Sequence, residues 1–188
     1  MSGFRHLGDQ LVHQGYIWHV AVGTFESPDG DEFKRDIVRS PGAVAAVPLQ
    51  FDDAGVAWVT LVRQYRSPFD EYVLEIPAGM RDIADEPVEA TAARELVEEV
   101  GLRAGALTFL SEYYPAAGMT DSRLWLYLAT ELVEVDRDTH GPEEAHMEVV
   151  RMPLAQAVEM VMRGEIHDGK TIIGLLMVDR GVREGSFG

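Results

Sequence analysis

The chain has 188 residues, enough for one domain with a small extra element, and its 46% hydrophobic and 9% aromatic content is ordinary for a globular protein. It contains no cysteine, which excludes disulfides, thiolate catalysis and Cys-ligated zinc, and 32 acidic against 16 basic residues give a net charge of −16 that repels nucleic-acid backbones and anionic membranes. No apolar run approaches the ~18 residues a membrane span needs, and the opening Met-Ser-Gly-Phe-Arg-His has no apolar segment to act as a signal peptide, so a cytoplasmic protein is expected.

The N-terminal third reads as strands. Tyr16 to Phe25 is rich in β-formers, Ser27-Pro28-Asp29-Gly30 marks a turn, and Glu32 to Val38 returns as a partner. Ala43 to Phe51 and Val56 to Arg63 flank Asp52-Asp53-Ala54-Gly55 as a second hairpin. Tyr72 to Ile76 is a further short strand, stopped by a turn at Pro77-Ala78-Gly79. A helix is predicted from near Pro87, with Ala93, Leu96, Val97 and Val100 as its apolar stripe and Gly101 as its stop. Leu107 to Leu110, Leu124 to Ala129 and Glu148 to Met152 read as strands, and Pro153 to Met162 and Lys170 to Val178 as helices. Strands on both sides of a central helix, with helices last, predict a mixed α/β (α+β) sandwich.

The central helix carries Arg94-Glu95-Leu96-Val97-Glu98-Glu99. Glu95 lies three residues from Glu98 and four from Glu99, so the carboxylates share one face and repel by a few tenths of a kcal/mol per pair. They also occupy the last turns, where the helix dipole disfavours negative charge. Arg94 meets only Glu98 at the i+4 spacing. Glu75, Asp82, Asp85, Glu86 and Glu89 add further acid, against Arg81 and Arg94 alone between 75 and 99. One reading is a solvated face on a generally acidic protein. The other is a site for a hard cation such as Mg²⁺, which prefers carboxylate oxygen and water; a cation would also let so acidic a chain accept a phosphorylated substrate.

The run Gly79 … Glu86 … Arg94-Glu95-Leu96-Val97-Glu98-Glu99-Val100-Gly101-Leu102 resembles the Nudix box: glycine, five residues, Glu, seven residues, then Arg-Glu-apolar-x-Glu-Glu-x-Gly-apolar. The second half matches at every fixed position. One departure stands out: Met80 to Asp85 place one residue more than usual between Gly79 and Glu86. Either the loop carries an insertion or Asp85 takes the Glu place. Beyond the box, Arg63-Gln64-Tyr65-Arg66, Leu74-Glu75-Ile76-Pro77-Ala78-Gly79, Ser40-Pro41-Gly42-Ala43-Val44 and Gly164-Glu165-Ile166-His167-Asp168-Gly169-Lys170-Thr171 are similar to the ADP-ribose pyrophosphatase branch.

That resemblance implies a Nudix-type α/β/α sandwich with a mixed central sheet over 41–188, preceded by a small antiparallel β element over 1–40 that serves dimerisation. It implies Mg²⁺, replaceable by Mn²⁺, held by Glu95, Glu98, Glu99 and the Ala78 carbonyl, with Glu86 and Arg94 bracing the loop around Gly79. Metal ions would neutralise the diphosphate and activate water. The base is expected in the acidic stretch after the last core strands, at Glu143 first and Glu144 second, with Glu98 also counted among the catalytic carboxylates. Arg66 and Arg35 are the expected phosphate or ribose contacts, although either could serve an ordinary ion pair. Trp18 is the expected adenine-stacking aromatic, contributing ~1–3 kcal/mol, or else a core or interface residue. Gly118-Met119-Thr120-Asp121 departs from the branch's Gly-Phe-Ser-Asp by having Met for the aromatic. The implied reaction is hydrolysis of ADP-ribose to AMP and ribose 5-phosphate. GDP-mannose, another nucleotide sugar, NADH or a diadenosine polyphosphate are alternative substrates, and a non-hydrolytic nucleotide-binding regulator is a further alternative. A homodimer that binds neither nucleic acid nor membrane completes the expectation.

Overall fold

Residues 3–138 and 146–187 are described by the structure, a computed structural model. Their contacts divide the chain into two compact units: one runs up to Gly42 and adds Tyr113–Leu124, and the other takes Ala43–Glu112 and the chain from Trp125 onward.

The first unit is built on three antiparallel strands in the order β1 (Arg5–Gln14), β2 (His19–Glu26), β3 (Glu32–Arg39). Sequence patterning misses β1. Its Gly8 and Asp9 are poor strand formers, every residue in it is exposed, and the strand persists through its ladder with β2 across two register shifts. Strand β2 starts at His19 rather than Tyr16 because Gly15 donates its N–H to the Trp18 carbonyl at 2.9 Å, closing a turn. Phe25 stacks on Phe33 at 5.6 Å, and Phe4 meets Phe33 edge-on at 6.1 Å. The loop of this unit is tied to β3 where Val38 donates its N–H to the Met119 carbonyl and Arg39 pairs with Asp121.

The second unit holds β4 (Ala43–Phe51), β5 (Ala57–Arg66), β6 (Glu71–Glu75), β7 (Ala78–Met80), α1 (Val88–Val100), β8 (Leu102–Tyr113), β9 (Leu124–Glu134), β10 (Glu148–Pro153), α2 (Leu154–Met162) and α3 (Gly169–Arg183). Its mixed sheet runs β10-β5-β4-β9-β8, with β6 on β5 and β7 on β4. Strand alternation sends Val44, Ala46, Tyr127 and Ala129 to one face, where they pack on Ala92, Leu96 and Val100 of α1. Burying Leu96 completely contributes about 1.5–3 kcal/mol. On the opposite face Gly174 of α3 approaches so closely that a Cβ there would lie 2.8 Å from the Val47 side chain. The result is the expected α/β/α sandwich, with a separate three-stranded antiparallel sheet. Helix α1 ends as its sequence foretells, on Gly101 at φ 65, ψ 36. Strand β8 is much longer than Leu107–Leu110, its half-exposed pattern giving little periodic signal. None of the helices among the described residues is long and apolar enough to cross a membrane.

Candidate active site

Pro77-Ala78-Gly79 is not the expected turn. Ala78–Met80 forms a short strand beside β4, in the register Ala45↔Ala78 and Val44↔Gly79, and Pro77 accepts the Ala46 N–H at 3.0 Å. The Ala78 N–H points away from this ladder and donates to Glu99 Oε2 at 2.9 Å. In extended backbone a residue's N–H and C=O leave on the same side, so the Ala78 carbonyl is directed with its amide toward α1.

Glu99 and Glu95 stand against this strand, and with Glu98 all three helix carboxylates are buried: Glu95 and Glu98 are each 8% exposed and Glu99 5%. That excludes the solvated-face alternative. Burial, reinforced by repulsion from Glu95, pushes the Glu99 carboxyl up to about 8, although the Ala78 amide, Lys170 and Arg66 oppose the shift. The Glu95 carboxylate occupies the space a Cβ at Gly79 would take: a methyl there would overlap it unless the carboxylate moved.

Arg94 does more than the i+4 pairing that helical spacing allows. Its Nη1 lies 2.7 Å from Glu98 and 2.9 Å from Glu95, and its Nε 3.3 Å from Glu86. The guanidinium fork reaches neighbours that point charges at Cβ spacing would not. Glu86 also accepts from the Thr91 hydroxyl at 2.8 Å. Burial would raise the Glu86 carboxyl, but the Thr91 and Arg94 hydrogen bonds hold it below the usual carboxylate range. The two alternatives for the lengthened loop are thereby separated. Glu86, not the exposed Asp85, meets Arg94, and Asp85 takes a left-handed backbone at φ 61.

Arg66 donates through Nε and Nη2 to Glu75 at 2.6 and 2.7 Å, a bidentate pair whose acid is only 2% exposed. Burial alone would push Glu75 up; Arg66 and Lys170 together hold it below the ordinary range. A cavity of about 430 Å³ opens beside this pair, lined by Arg66, Phe69, Val73, His167 and Lys170 among others. Lys170, Asp168 and Thr171 escaped the functional reading of the sequence, although they fall in a segment it had singled out.

Arg35 and Trp18 belong to the first unit. Arg35 donates to the Lys34 carbonyl at 2.7 Å and lies over the Phe33 ring at 4.8 Å. Trp18 sits in the β1–β2 turn, 54% exposed. Arg39, not singled out from the sequence, holds both Asp9 and Asp121, and with Arg35 and Arg123 it lines a cavity of about 510 Å³ within that unit. Glu143 and Glu144 lie outside the described residues.

Among the described residues no three acidic or imidazole groups are drawn together as a ready-made ion site. Glu95 and Glu98 are turned to Arg94, and Glu99 to the Ala78 amide. The donor set nevertheless suits a hard cation: buried carboxylates, one cradled where a Cβ would fill the space, and a carbonyl aimed at them.

The raised Glu99 carboxyl makes the metal-free protein less stable as pH rises. Between its ordinary value of 4.5 and about 8 the native carboxyl holds a proton that the unfolded chain does not. Its stabilisation is therefore complete below 4.5 and is lost as pH rises through about 8. Calorimetric melts in chelator should show Tm falling from about pH 4.5 to about pH 8, and Mg²⁺ should restore it at the alkaline end, where its binding no longer has a proton to displace. A flat profile in chelator would count against this account.

A NUDIX domain family model matches residues 39–173. The chain is 39% identical over 175 residues to an ADP-ribose pyrophosphatase of Mycobacterium tuberculosis (strain ATCC 25618 / H37Rv), covering 93% of this chain and 83% of that protein. It is 34% identical to an ADP-ribose pyrophosphatase of Bacillus subtilis (strain 168), covering 89% and 88% respectively. A crystal structure of an ADP compounds hydrolase superposes with a TM-score of 0.81 at 24% identity, over 97% of this chain and 95% of that one.

Proposed function

The chain belongs to the Nudix hydrolase family, and from that premise we propose that it hydrolyses the diphosphate bond of ADP-ribose, giving AMP and ribose 5-phosphate, in a Mg²⁺-dependent reaction. The observation that carries this reading is the set of three buried carboxylates on α1, of which Glu99 meets the Ala78 amide and Glu95 lies against Gly79, with Glu98 beside them on Arg94. Solvent does not explain three buried acids that share the single guanidinium of Arg94 and one backbone amide between them. The choice of ADP-ribose leans on the names of the two relatives that align over nearly the whole chain.

Glu95, Glu98, Glu99 and the Ala78 carbonyl would hold the metal. When bound it supplies charge neutralisation for the diphosphate and a more acidic water. Arg94, bonded to Glu86 as well as to Glu95 and Glu98, would brace the site from beside it. Arg66, its fork fixed by Glu75, donates to a phosphate oxygen. Glu143, and after it Glu144, is assigned as the base that takes the water's proton; Glu143→Gln and Glu144→Gln assayed side by side identify which substitution lowers kcat with KM retained.

We also assign the exposed β1–β2 turn and its Trp18 to a homodimer interface that completes nucleotide binding in a cytoplasmic enzyme, and Arg35 to a phosphate or ribose contact. Light scattering reading only monomer would remove that assignment. The deciding experiment is a hydrolysis screen with and without Mg²⁺ over ADP-ribose, GDP-mannose, NADH and diadenosine polyphosphates, with products identified. ADP-ribose should lead and yield AMP. No activity on it, or equal activity on all, overturns the proposal.

A further inference from the structure

Glu75 is the most enclosed ionised group described beside the site, and two cations hold it. Arg66 forks onto both its oxygens, and Lys170 Nζ hydrogen-bonds Oε2 while also reaching Asp168 Oδ1 at 3.0 Å. The Lys170 side chain is only 10% exposed. Its backbone is equally constrained. Asp168 caps α3 by accepting the Thr171 N–H at 2.9 Å and its hydroxyl proton at 2.6 Å, and the Thr171 hydroxyl accepts the Ile76 N–H at 2.8 Å. The start of α3 is thus clasped to the end of β6, two residues before Ala78.

A glutamate's terminal torsion is broad and roughly two-fold. With Arg66 as its only partner, the Glu75 carboxylate could turn and carry the guanidinium with it. Lys170 on Oε2 removes that freedom, and the Arg66 guanidinium is then presented in a single plane toward the neighbouring cavity.

We propose that Lys170 is a positioning residue for substrate binding: acting through Glu75, it sets the orientation in which Arg66 meets the diphosphate, without itself touching substrate or the reacting atoms. The proposal rests on the reading above that Arg66 contacts the diphosphate. Stability alone is a poor account of the contact, because buried ion pairs contribute little net free energy relative to apolar replacements of the same size.

An interaction that fixes Arg66 before the chemical step and throughout it acts on ground and transition states alike, so its loss appears in KM rather than kcat. With ADP-ribose and saturating Mg²⁺, Lys170→Met should raise KM about tenfold and leave kcat within about threefold. Lys170→Gln should behave likewise if the Met variant folds poorly, and Lys170→Arg should return KM to near the parent value. In a Glu75→Gln background, Lys170→Met should raise KM no further, because the route through Glu75 is already gone. An unchanged KM in the folded Lys170→Met protein, or a full additional rise in the Glu75→Gln background, overturns the inference while leaving the substrate reading intact. A parent protein inert on ADP-ribose sinks that reading, and this inference with it.

Discussion

Glu99→Gln should abolish Mg²⁺-dependent hydrolysis while leaving the fold almost untouched. The carboxyl is 5% exposed, accepts the Ala78 N–H and, with its value near 8, is mostly protonated at neutral pH in the absence of metal. Glutamine keeps the shape, the acceptor and the neutral state, so the unfolding free energy should change by no more than about 1 kcal/mol. What it lacks is the capacity to become an anionic ligand. Loss of a supporting residue at a metal site costs ~10–100-fold, so loss of a direct ligand should lower kcat/KM by more than that. The same variant should lose the decline of metal-free Tm toward alkaline pH, because the group responsible no longer titrates. Steady-state assays and melts on one preparation test both effects. A variant with parental activity would remove Glu99 from the metal set, and a variant that merely unfolds would mean that the amide cannot replace the acid in the Ala78 contact.

The features legible in the sequence are those written by local spacing. Of the expected α1 stripe Ala93, Leu96, Val97 and Val100, Leu96 and Val100 enter the core, joined by Ala92 while Ala93 and Val97 stay half-buried; the stop at Gly101 and the shared face of Glu95, Glu98 and Glu99 follow from the 3.6-residue period. Strand β1 was not legible because the segment from Arg5 to Gln14 lacks strand character of its own and depends on a partner. Nor was the Lys170–Glu75 contact, which joins residues 95 apart; no periodicity links an acid ending one strand to a lysine in the first turn of the last helix. The turn expected at Pro77-Ala78-Gly79 failed for a related reason. Proline and glycine are strong local punctuation, yet pairing with β4 and the Glu99 contact impose extended backbone there. Local chemistry likewise left open whether Asp85 or Glu86 meets Arg94, and a tertiary contact decided it.

Gly79→Ala should separate stability from activity most sharply. Gly79 is not among the glycines in left-handed backbone, so alanine can adopt its conformation without strain. Where that holds, glycine to alanine stabilises by ~0.4–1 kcal/mol through the unfolded chain. Opposing this is the overlap between the added methyl and the Glu95 carboxylate. The carboxylate is the far end of a flexible side chain and has Arg94 to follow, so it can swing away at modest cost. The two terms nearly cancel in Tm but not in function. Displacing Glu95 removes one buried anion from the set facing Ala78 and relieves the repulsion on Glu99, whose carboxyl should then fall back toward the ordinary range. kcat/KM should drop by at least ~10²-fold, as for other changes that misplace a catalytic group by about an ångström, and the Mg²⁺ concentration for half-maximal rate should rise. Calorimetry beside a Mg²⁺ titration of the rate decides the matter. Activity within threefold of the parent would show that the Glu95 position against Gly79 is packing rather than a requirement of the site.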